Sequence, residues 1–310
     1  MKGPVSSTPK LSSRVLIAFA CVYFFWGSTY VAIRFGVGVL PPFVLASVRF
    51  LIAGPLMLLL CKARGLKLWQ TPRDFAIIAA IGVLMLGIGN MGLVWAEQYL
   101  PSGLASLLIA VVPLYVALFE VFLPHGEGLR TKGWMGIAIG FAGLIVLLSP
   151  GLRQGLHSGS KQLAGSAVAI GGAFAWTCGS ILSRRAKFAA TAFVASAWEM
   201  VFAGIFNTLV MFALHGQHGA VWNRTAILSI AWLVTFGSIV GYTAYIYLLD
   251  HVPVAKVSTY AYVNPIVAVC LGAIFLHERM VGIEYVGMVA ILIAVYLVTS
   301  SKLKTPVAAT

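Results

Sequence analysis

The sequence predicts an all-α integral membrane protein whose ten transmembrane helices form two inverted repeats of five. Three observations lead to this prediction: an apolar composition, ten apolar stretches separated by short loops, and a similarity between the first five stretches and the second five. Hydrophobic residues make up 60% of the chain and charged residues only 9%. Such a chain has too few polar side chains to cover a water-soluble globule, so the composition excludes a soluble protein.

The ten predicted helices follow from the length of the apolar stretches, since about 20 predominantly apolar residues cross roughly 30 Å of hydrocarbon. The spans lie near residues 15–33, 41–61, 75–96, 101–123, 133–149, 162–183, 192–214, 226–249, 253–276 and 281–300. They divide the chain into an amino-terminal tail at 1–13, a first repeat at 14–150, a connecting loop at 151–161, a second repeat at 162–300 and a carboxy-terminal tail at 301–310.

The net charge of +13 reflects membrane topology. In membrane proteins Lys and Arg concentrate in the cytoplasmic loops. If the amino terminus is cytoplasmic, fifteen basic residues fall in inner loops and tails and five in outer loops, and Arg49 alone lies well inside a span. We therefore expect both termini to be cytoplasmic, a lipid bilayer around the helices and no nucleic-acid partner.

The two halves of the chain share identical residues at a displacement of 150 and then 152. They include Trp26 and Trp176, Phe43 and Phe193, Gly87 and Gly237, Pro101 and Pro253, and Pro113 and Pro265. Each half holds five spans, an odd number, so the second half enters the membrane from the opposite side. Inverted repeats of this kind occur in secondary transporters that open alternately to either side around a midplane site. The pattern thus predicts a carrier of small molecules that works by alternating access.

Five short motifs occur in order along the chain. They are Trp26-Gly27-Ser28-Thr29-Tyr30, Pro41-Pro42, Arg49-Phe50, Pro101-Ser102-Gly103 and Tyr260-Ala261-Tyr262-Val263-Asn264-Pro265. These motifs resemble the EamA family of the drug/metabolite transporter superfamily, and within it the YedA-like permeases of the bacterial inner membrane. Two EamA-like units in tandem would cover the chain. The resemblance implies a bacterial cytoplasmic-membrane protein with a central cavity built mainly by helices 1, 3, 4, 6, 8 and 9.

The substrate expected from the resemblance is a small metabolite, most of all an amino acid, moved outward. Efflux of amphipathic or cationic drugs is the alternative. A membrane-embedded enzyme acting on lipids is the alternative of a different class. Neither GxxxxGK[ST], HExxH nor GxSxG occurs, and the six histidines lie in loops or at helix ends. We therefore expect no catalytic site, cofactor or metal.

Aromatic and small polar residues concentrate on the helices that the resemblance places around the cavity. They are Trp26, Tyr30, Asn90, Ser106, Tyr115, Trp176, Ser180, Tyr242, Tyr245, Tyr260, Tyr262 and Asn264. Ligand pockets combine apolar and aromatic walls with a few orienting polar groups, and aromatic faces also attract ammonium cations. We expect these residues to bind substrate. The alternative is that some of them anchor helix ends at the membrane interface.

Pro113 and Pro265 occupy equivalent places deep in spans 4 and 9. A proline inside a helix lacks the backbone donor and crowds the preceding turn, so a local break is expected at each. Paired interruptions in the two halves of a transporter indicate a midplane binding site. Both prolines are hinge candidates, with a static kink as the alternative.

Three ionisable residues within apolar sequence are candidates for coupling or substrate contact: Arg49, Glu199 at the equivalent place in span 7, and Glu120. A charge at the bilayer centre costs about 2.5 to 3.5 kcal/mol on insertion scales, so each needs a reason. The alternative for Arg49 and Glu199, favoured because spans 2 and 7 are expected outside the cavity, is packing or snorkelling at the interface. The alternative for Glu120 is a cytoplasmic rim position, and Glu97 and Glu278 are expected to be solvated at helix ends.

Two further expectations follow. Trp26→Ala and Trp176→Ala should impair transport more than Arg49→Ala, and the scarcity of central carboxylates favours uniport or exchange over proton coupling. Gly136 and Gly140 on span 5 have the GxxxG spacing that allows close helix packing. That packing could be within the bundle or in a homodimer.

Overall fold

The computed structural model describes residues 12–123, 128–153, 160–252, 257 and 259–301, with only the backbone described for 151–153. Within these residues ten helical spans follow one another: α1 Ser13–Val37, α2 Pro42–Ala63, α3 Pro72–Ala96, α4 Ser102–Phe122, α5 Thr131–Arg153, α6 Ser160–Arg185, α7 Ala192–Ala213, α8 Arg224–His251, α9 Tyr260–Phe275 and α10 Gly282–Ser300. The bounds agree with the ten predicted spans to within a few residues. Residues 253–256 and 258 of the predicted ninth span lie outside the described residues.

The helices begin where the sequence supplies a cap. Proline, which needs no donor in the first turn, opens α2 and α3, and the Thr71 hydroxyl accepts from the Asp74 N–H at 3.1 Å. Asn223 caps α8, where its Oδ1 accepts from the Ala226 N–H at 3.0 Å. Because these capping residues lie at the ends of the apolar runs, the helix ends predicted from hydropathy fall close to the observed ones.

The outward face of the bundle is apolar. Leu59, Ile145, Leu209 and Ile274 are all more than three-fifths exposed. Contact of this apolar surface with water is unfavourable, whereas its contact with the hydrocarbon core of a bilayer is not. The exposed apolar face and the helix lengths together confirm a multi-pass membrane protein.

Three helices contain π-helical segments. They lie at Val22–Trp26 in α1, Val83–Asn90 in α3 and Leu233–Tyr242 in α8. The segments of α3 and α8 occupy equivalent places in the two repeats and both are glycine-containing. Insertions of this type are frequent at functional sites, because they widen the helix and turn side chains away from the regular pattern.

The two predicted proline breaks differ. The helix α4 is interrupted at Ala110 and Val111, directly before Pro113, and resumes at Val112. At Pro265 the predicted break is wrong, because α9 runs without interruption from Tyr260 to Phe275. Pro265 is the sixth residue of α9 and lacks the N–H that would bond to the Ala261 carbonyl, yet the helix continues through it.

The helices pair across the two repeats: α2 packs on α7, α5 on α10, and α3 on α6. The α3–α6 approach is so close that a Cβ at Gly172 would lie 2.9 Å from the Gly89 carbonyl oxygen. The glycines of α5 are used in the same way, since a Cβ at Gly136 would lie 2.9 Å from the Ala294 carbonyl oxygen of α10. Of the two uses left open by the GxxxG spacing, the structure shows packing within the bundle, and the stripe is not free for a second copy.

Candidate functional site

A central cavity lies where the two repeats meet. Its wall is formed by α1, α2, α3, α4, α6, α8 and α9 through Trp26, Thr29, Tyr30, Arg49, Phe50, Leu86, Gly89, Asn90, Leu93, Ile109, Gly172, Ala173, Trp176, Gly237, Ser238, Tyr242, Tyr260 and Asn264. Seven of the twelve predicted substrate-binding residues are among them: Trp26, Tyr30, Asn90, Trp176, Tyr242, Tyr260 and Asn264. The cavity helices implied by the resemblance all contribute. The helix α2 was not expected to do so.

Trp26 is the centre of an aromatic cluster in the cavity wall. Its ring centroid lies 5.6 Å from that of Trp176, 4.9 Å from that of Tyr245 and 5.4 Å from that of Tyr260. The indole N–H donates to the Gly237 carbonyl at 3.1 Å, within the π-helical segment of α8. Helices α1, α6, α8 and α9 thus meet through rings whose faces can contact an apolar or cationic group.

Arg49 lies inside the cavity wall and is only 4% exposed. Its Nε donates to Ser238 Oγ at 2.9 Å and its Nη1 to Asn90 Oδ1 at 3.3 Å. Of the preferred alternatives for Arg49, snorkelling at the interface and a place outside the cavity are therefore wrong. A guanidinium has five N–H donors, and these two bonds leave others for a ligand.

Glu199 is also buried, with 1% exposure, on the face of α7 that packs against the bundle. The Tyr242 hydroxyl donates to its Oε2. Since Tyr242 lines the cavity, Glu199 lies one hydrogen bond behind the wall. Interfacial snorkelling is therefore wrong for Glu199 as well, whereas packing, the other part of that alternative, is not contradicted.

Five predicted site residues lie outside the wall. Tyr245 and Ser180 form a layer behind it, with their hydroxyl oxygens 3.2 Å apart. The Ser106 hydroxyl is turned back onto the Gly103 carbonyl at 2.7 Å. Tyr115 packs its ring on Phe174, and the Tyr262 hydroxyl bonds to Thr299 of α10.

The cavity has a volume of about 60 Å³ in this conformation. That is room for a few water molecules, since each needs roughly 10–15 Å³ measured in this way. Asn264 adds a buried Oδ1 that has no hydrogen-bond partner within the described part of the chain. Among the described residues the cavity therefore presents the Arg49 cation, the unpaired Asn264 acceptor and several rings in a small space.

The comparison with known families agrees with this architecture. The model of the EamA-like transporter family matches residues 13–149 and 163–300, almost the whole chain. The protein belongs to the EamA-like transporter family. The family assignment from the short motifs is thus confirmed.

Several relatives of this EamA-like protein cover the chain nearly end to end. It is 37% identical over 290 residues to the uncharacterized inner membrane transporter YedA of Escherichia coli, across 93% of this chain and 92% of that one. It is 28% identical over 282 residues to an E. coli protein named a probable amino-acid metabolite efflux pump, across 88% of this chain and 90% of that one. A crystal structure with 22% identity shares the fold, with a TM-score of 0.66 over 93% of this chain and 96% of the other.

A polar cluster closes the end of the bundle that carries Arg34, Glu97 and Glu278, which we call the outer end after the predicted orientation. Arg34 donates to the backbone carbonyls of Glu97 and Gln98, and its Nε lies 3.9 Å from Glu278 Oε1. Glu97 is fully buried, and neither carboxylate oxygen has a hydrogen-bond partner among the described residues. Solvation at a helix end, as expected for Glu97, is therefore wrong.

Burial is the main reason that the pKa of Glu97 is raised well above its usual value, and the nearby Glu278 carboxylate raises it further while Arg34 opposes the shift. At the opposite, inner end, Glu120 is buried between Arg184 and Arg185, each 3.6 Å away. Both interpretations of Glu120, coupling and a cytoplasmic rim position, stay predictions. Sequence reasoning missed the outer cluster and Ser238, because each depends on contacts between residues far apart in the chain.

Proposed function

We propose that this EamA-like protein is a secondary carrier that exports small zwitterionic metabolites, amino acids above all, by alternating access through the central cavity. The observation that carries the proposal is Arg49, the sole charged side chain in the cavity wall as the described residues define it. A guanidinium binds a carboxylate through parallel charge-assisted hydrogen bonds. The name of the E. coli relative, a probable amino-acid metabolite efflux pump, supports the same substrate class.

The amino group of such a substrate has its own partners. Asn264 Oδ1 is a buried acceptor without a partner, and the rings of Trp26 and Tyr260 offer electron-rich faces close by. Both types of group stabilise an ammonium. A cation in one part of the wall and acceptors in another match the two ends of a zwitterion.

The same charge distribution weighs against the alternative of cationic drugs. A lipophilic cation bound in a low-dielectric cavity needs an anion near it, and would instead meet the Arg49 guanidinium. Glu199 lies one hydrogen bond behind Tyr242, so a lipophilic cation does not pair with it directly. The wall thus favours a ligand that brings a negative group of its own.

The small volume of the cavity supports alternating access. An amino acid is larger than the few water molecules for which about 60 Å³ leaves room. The π-helical segments of α3 and α8, and the break before Pro113, are places where these helices can bend as the cavity enlarges. We retain Pro113 as a hinge candidate on this ground, whereas Pro265 lies in a continuous helix.

The position of the protein in the membrane is part of the proposal. The fifteen-to-five distribution of basic residues supports cytoplasmic termini. In that orientation Arg49 lies in the outer half of the membrane and Glu199 in the inner half.

Counterflow in proteoliposomes tests the function. Vesicles loaded with a mixed amino acid pool are diluted into labelled threonine, labelled phenylalanine or a labelled lipophilic cation. We expect exchange of the amino acids and none of the cation. Arg49→Ala should raise the half-saturating amino acid concentration by about tenfold or more, because a hydrogen bond to a charged group contributes about 1.5–3 kcal/mol.

Lys62→Ala is the matched control, since Lys62 is an exposed cation at the end of the same helix. Its exchange should equal that of the wild type. Exchange of the cation alone would replace the proposal with drug efflux, and an Arg49→Ala variant with unchanged half-saturation would remove Arg49 from the site.

A further inference from the structure

Glu199 is a buried acid for which the proposed binding of substrate supplies no role. It occupies the place in α7 that Arg49 occupies in α2, and these two helices pack on each other. Tyr242 is bonded to its Oε2, while Oε1 has no hydrogen-bond partner within the described residues. A carboxylate in this setting has one neutral donor and no ion within bonding distance.

Ionisable groups on the neighbouring helices do not neutralise Glu199. The groups on the helices packed against α7 are Arg49, Cys61 and Lys62 on α2, with Arg64 directly after it, Arg73 and Asp74 on α3, and Arg224, Tyr242, Tyr245, Tyr247, Asp250 and His251 on α8. Of these only Tyr242 is in hydrogen-bond contact with the carboxylate in the described structure. Asp250, nearer the inner end of α8, adds a like charge. Glu199 is therefore free to gain a neutralising partner.

Glu199 and Arg49 are linked through one short segment of α8. Arg49 donates to Ser238, and Tyr242, four residues later on the same π-helical segment, donates to Glu199. A change in the charge of Glu199 thus acts one turn away from the cation that is proposed to bind substrate. The cavity reaches Glu199 through the Tyr242 hydroxyl, which is the polar group of the wall at this place.

We propose that Glu199 is a proton-binding site and that the carrier exchanges substrate for a proton. This inference rests on the proposed transport of zwitterions. With the substrate carboxylate on Arg49, its ammonium lies beside Asn264 in the same small cavity that Tyr242 lines, and the negative charge of Glu199 lies one hydrogen bond behind Tyr242. A proton and the ammonium both neutralise that charge, so that binding of one weakens binding of the other.

Each proton in the exchange is accounted for, and one positive charge enters for each zwitterion that leaves. In the state open to the outside, an O–H bond forms between a proton from water and the Glu199 carboxylate, and the substrate ammonium leaves. In the state open to the inside, that O–H bond breaks, the proton passes to water, and the ammonium of the next substrate takes its place. The proton and the ammonium exclude each other at Glu199, so the carrier crosses the membrane with one or the other bound. Because it does not return empty, this competition is sufficient for antiport.

The test uses the full chain in proteoliposomes with labelled phenylalanine and labelled threonine. Counterflow without a pH gradient is measured first, then uphill accumulation driven by a gradient of one pH unit, which provides a factor of about ten per proton exchanged. A pH-sensitive dye inside the vesicles reports proton movement when substrate is added. For the wild type we expect counterflow, accumulation and proton movement together.

Glu199→Gln mimics the protonated acid, so it should raise the half-saturating substrate concentration in counterflow, make counterflow independent of pH, and lose both gradient-driven accumulation and proton movement. Glu120→Gln is the control, a buried carboxylate held by two arginines at the inner rim, and should keep all three. Tyr242→Phe, which leaves the acid without its donor, should shift the pH dependence of counterflow and provides a second variant if Glu199→Gln does not fold.

Accumulation and proton movement that persist in Glu199→Gln would overturn the inference, as would an unchanged pH dependence in Tyr242→Phe. Wild-type counterflow that does not respond to a pH gradient would overturn it and leave the proposed function intact. Absence of wild-type counterflow of either amino acid would instead count against the proposed function.

Discussion

Glu278, in the loop between α9 and α10, accepts hydrogen bonds from both the backbone N–H and the hydroxyl of Ser102, the first residue of α4, at 3.0 Å and 2.7 Å. The N-terminus of a helix has a positive potential that favours a carboxylate. Arg34 at the end of α1 lies 3.9 Å from the same carboxylate. One acidic side chain thus joins the outer ends of α1 and α4 to the α9–α10 loop.

Glu278→Gln is expected to make the outer end open more readily, because it replaces hydrogen bonds to a charged acceptor with weaker neutral ones. A loss of about 1.5 kcal/mol corresponds to roughly tenfold in the opening equilibrium. Leu93→Cys, in a background whose four native cysteines are Ser, places a thiol in the cavity wall. Its rate of reaction with an impermeant thiol reagent added from the outside should rise about tenfold in Glu278→Gln.

Glu284→Gln is the control for this measurement. Glu284 lies in the first turn of α10 and accepts from the Val281 N–H at 2.8 Å. The Glu284→Gln substitution therefore removes a similar charge without changing the contacts that Glu278 makes with α1 and α4. Equal reaction rates in the two variants would show that Glu278 does not restrain the outer end.

The stability of the protein should depend on the protonation of Glu97. Its pKa is raised in the folded state, mainly by burial, so the folded protein binds the proton more tightly than the unfolded chain does. The contribution of Glu97 to the free energy of unfolding is therefore fully present below the unfolded pKa of about 4.3. It is lost as the pH rises through the raised folded value.

Glu97→Gln mimics the protonated form and should not lose stability in this window. Its melting temperature in detergent should exceed that of the wild type at pH 8, by about 2 °C or more for each kcal/mol of relief, and approach it near pH 4.5. A difference in melting temperature that is the same at both pH values would contradict the assignment.

The sequence predicts the helix positions well and their contacts poorly. The bounds of α2 follow from a run of apolar residues after Pro41 and Pro42, but that run is apolar on every side and does not indicate which face meets the cavity. Arg49 was therefore expected outside the cavity. Its partner Ser238 lies 189 residues away, and a pairing over this distance leaves no mark in the spacing of either helix.

The aromatic residues of α9 show the same limit. Tyr260 and Tyr262 are both polar-tipped rings in one motif, yet two helical positions are about 200° apart around the axis. Tyr260 consequently lines the cavity while Tyr262 bonds to Thr299 on α10. Deciding which of the two faces inward requires the position of the neighbouring helix, and a single sequence does not contain it.

Gly82→Ala should destabilise the protein. A Cβ at Gly82 of α3 would lie 2.5 Å from the carbonyl oxygen and 2.7 Å from the Cα of Glu199, so the two helices must move apart. Overpacking of this kind costs typically about 1–3 kcal/mol.

Gly171→Ala on α6 is the matched control, since no atom lies within 4 Å of its added methyl group. In detergent, Gly82→Ala should melt several degrees lower than the wild type, and Gly171→Ala should melt at or slightly above it. Equal melting of the two variants would mean that α3 and α7 are not in close contact.

Trp26→Ala should discriminate between substrates whereas Arg49→Ala should not, which revises the expectation that the tryptophan variants are the more severe. The carboxylate proposed to bind Arg49 is common to threonine and phenylalanine, so Arg49→Ala should weaken both by a similar factor. Trp26→Ala removes ring contacts with Trp176, Tyr245 and Tyr260.

Each aromatic pair contributes about 0.5–1.5 kcal/mol beyond its buried area, so a phenylalanine ring at this place loses more than threonine does. Trp26→Ala should therefore raise the half-saturating concentration of phenylalanine several-fold more than that of threonine in counterflow. Trp26→Phe keeps a ring but cannot donate to the Gly237 carbonyl, and should lie between Trp26→Ala and the wild type. Equal factors for the two amino acids in Trp26→Ala would mean that the substrate side chain does not reach the aromatic cluster, because a general distortion of the cavity weakens both substrates alike.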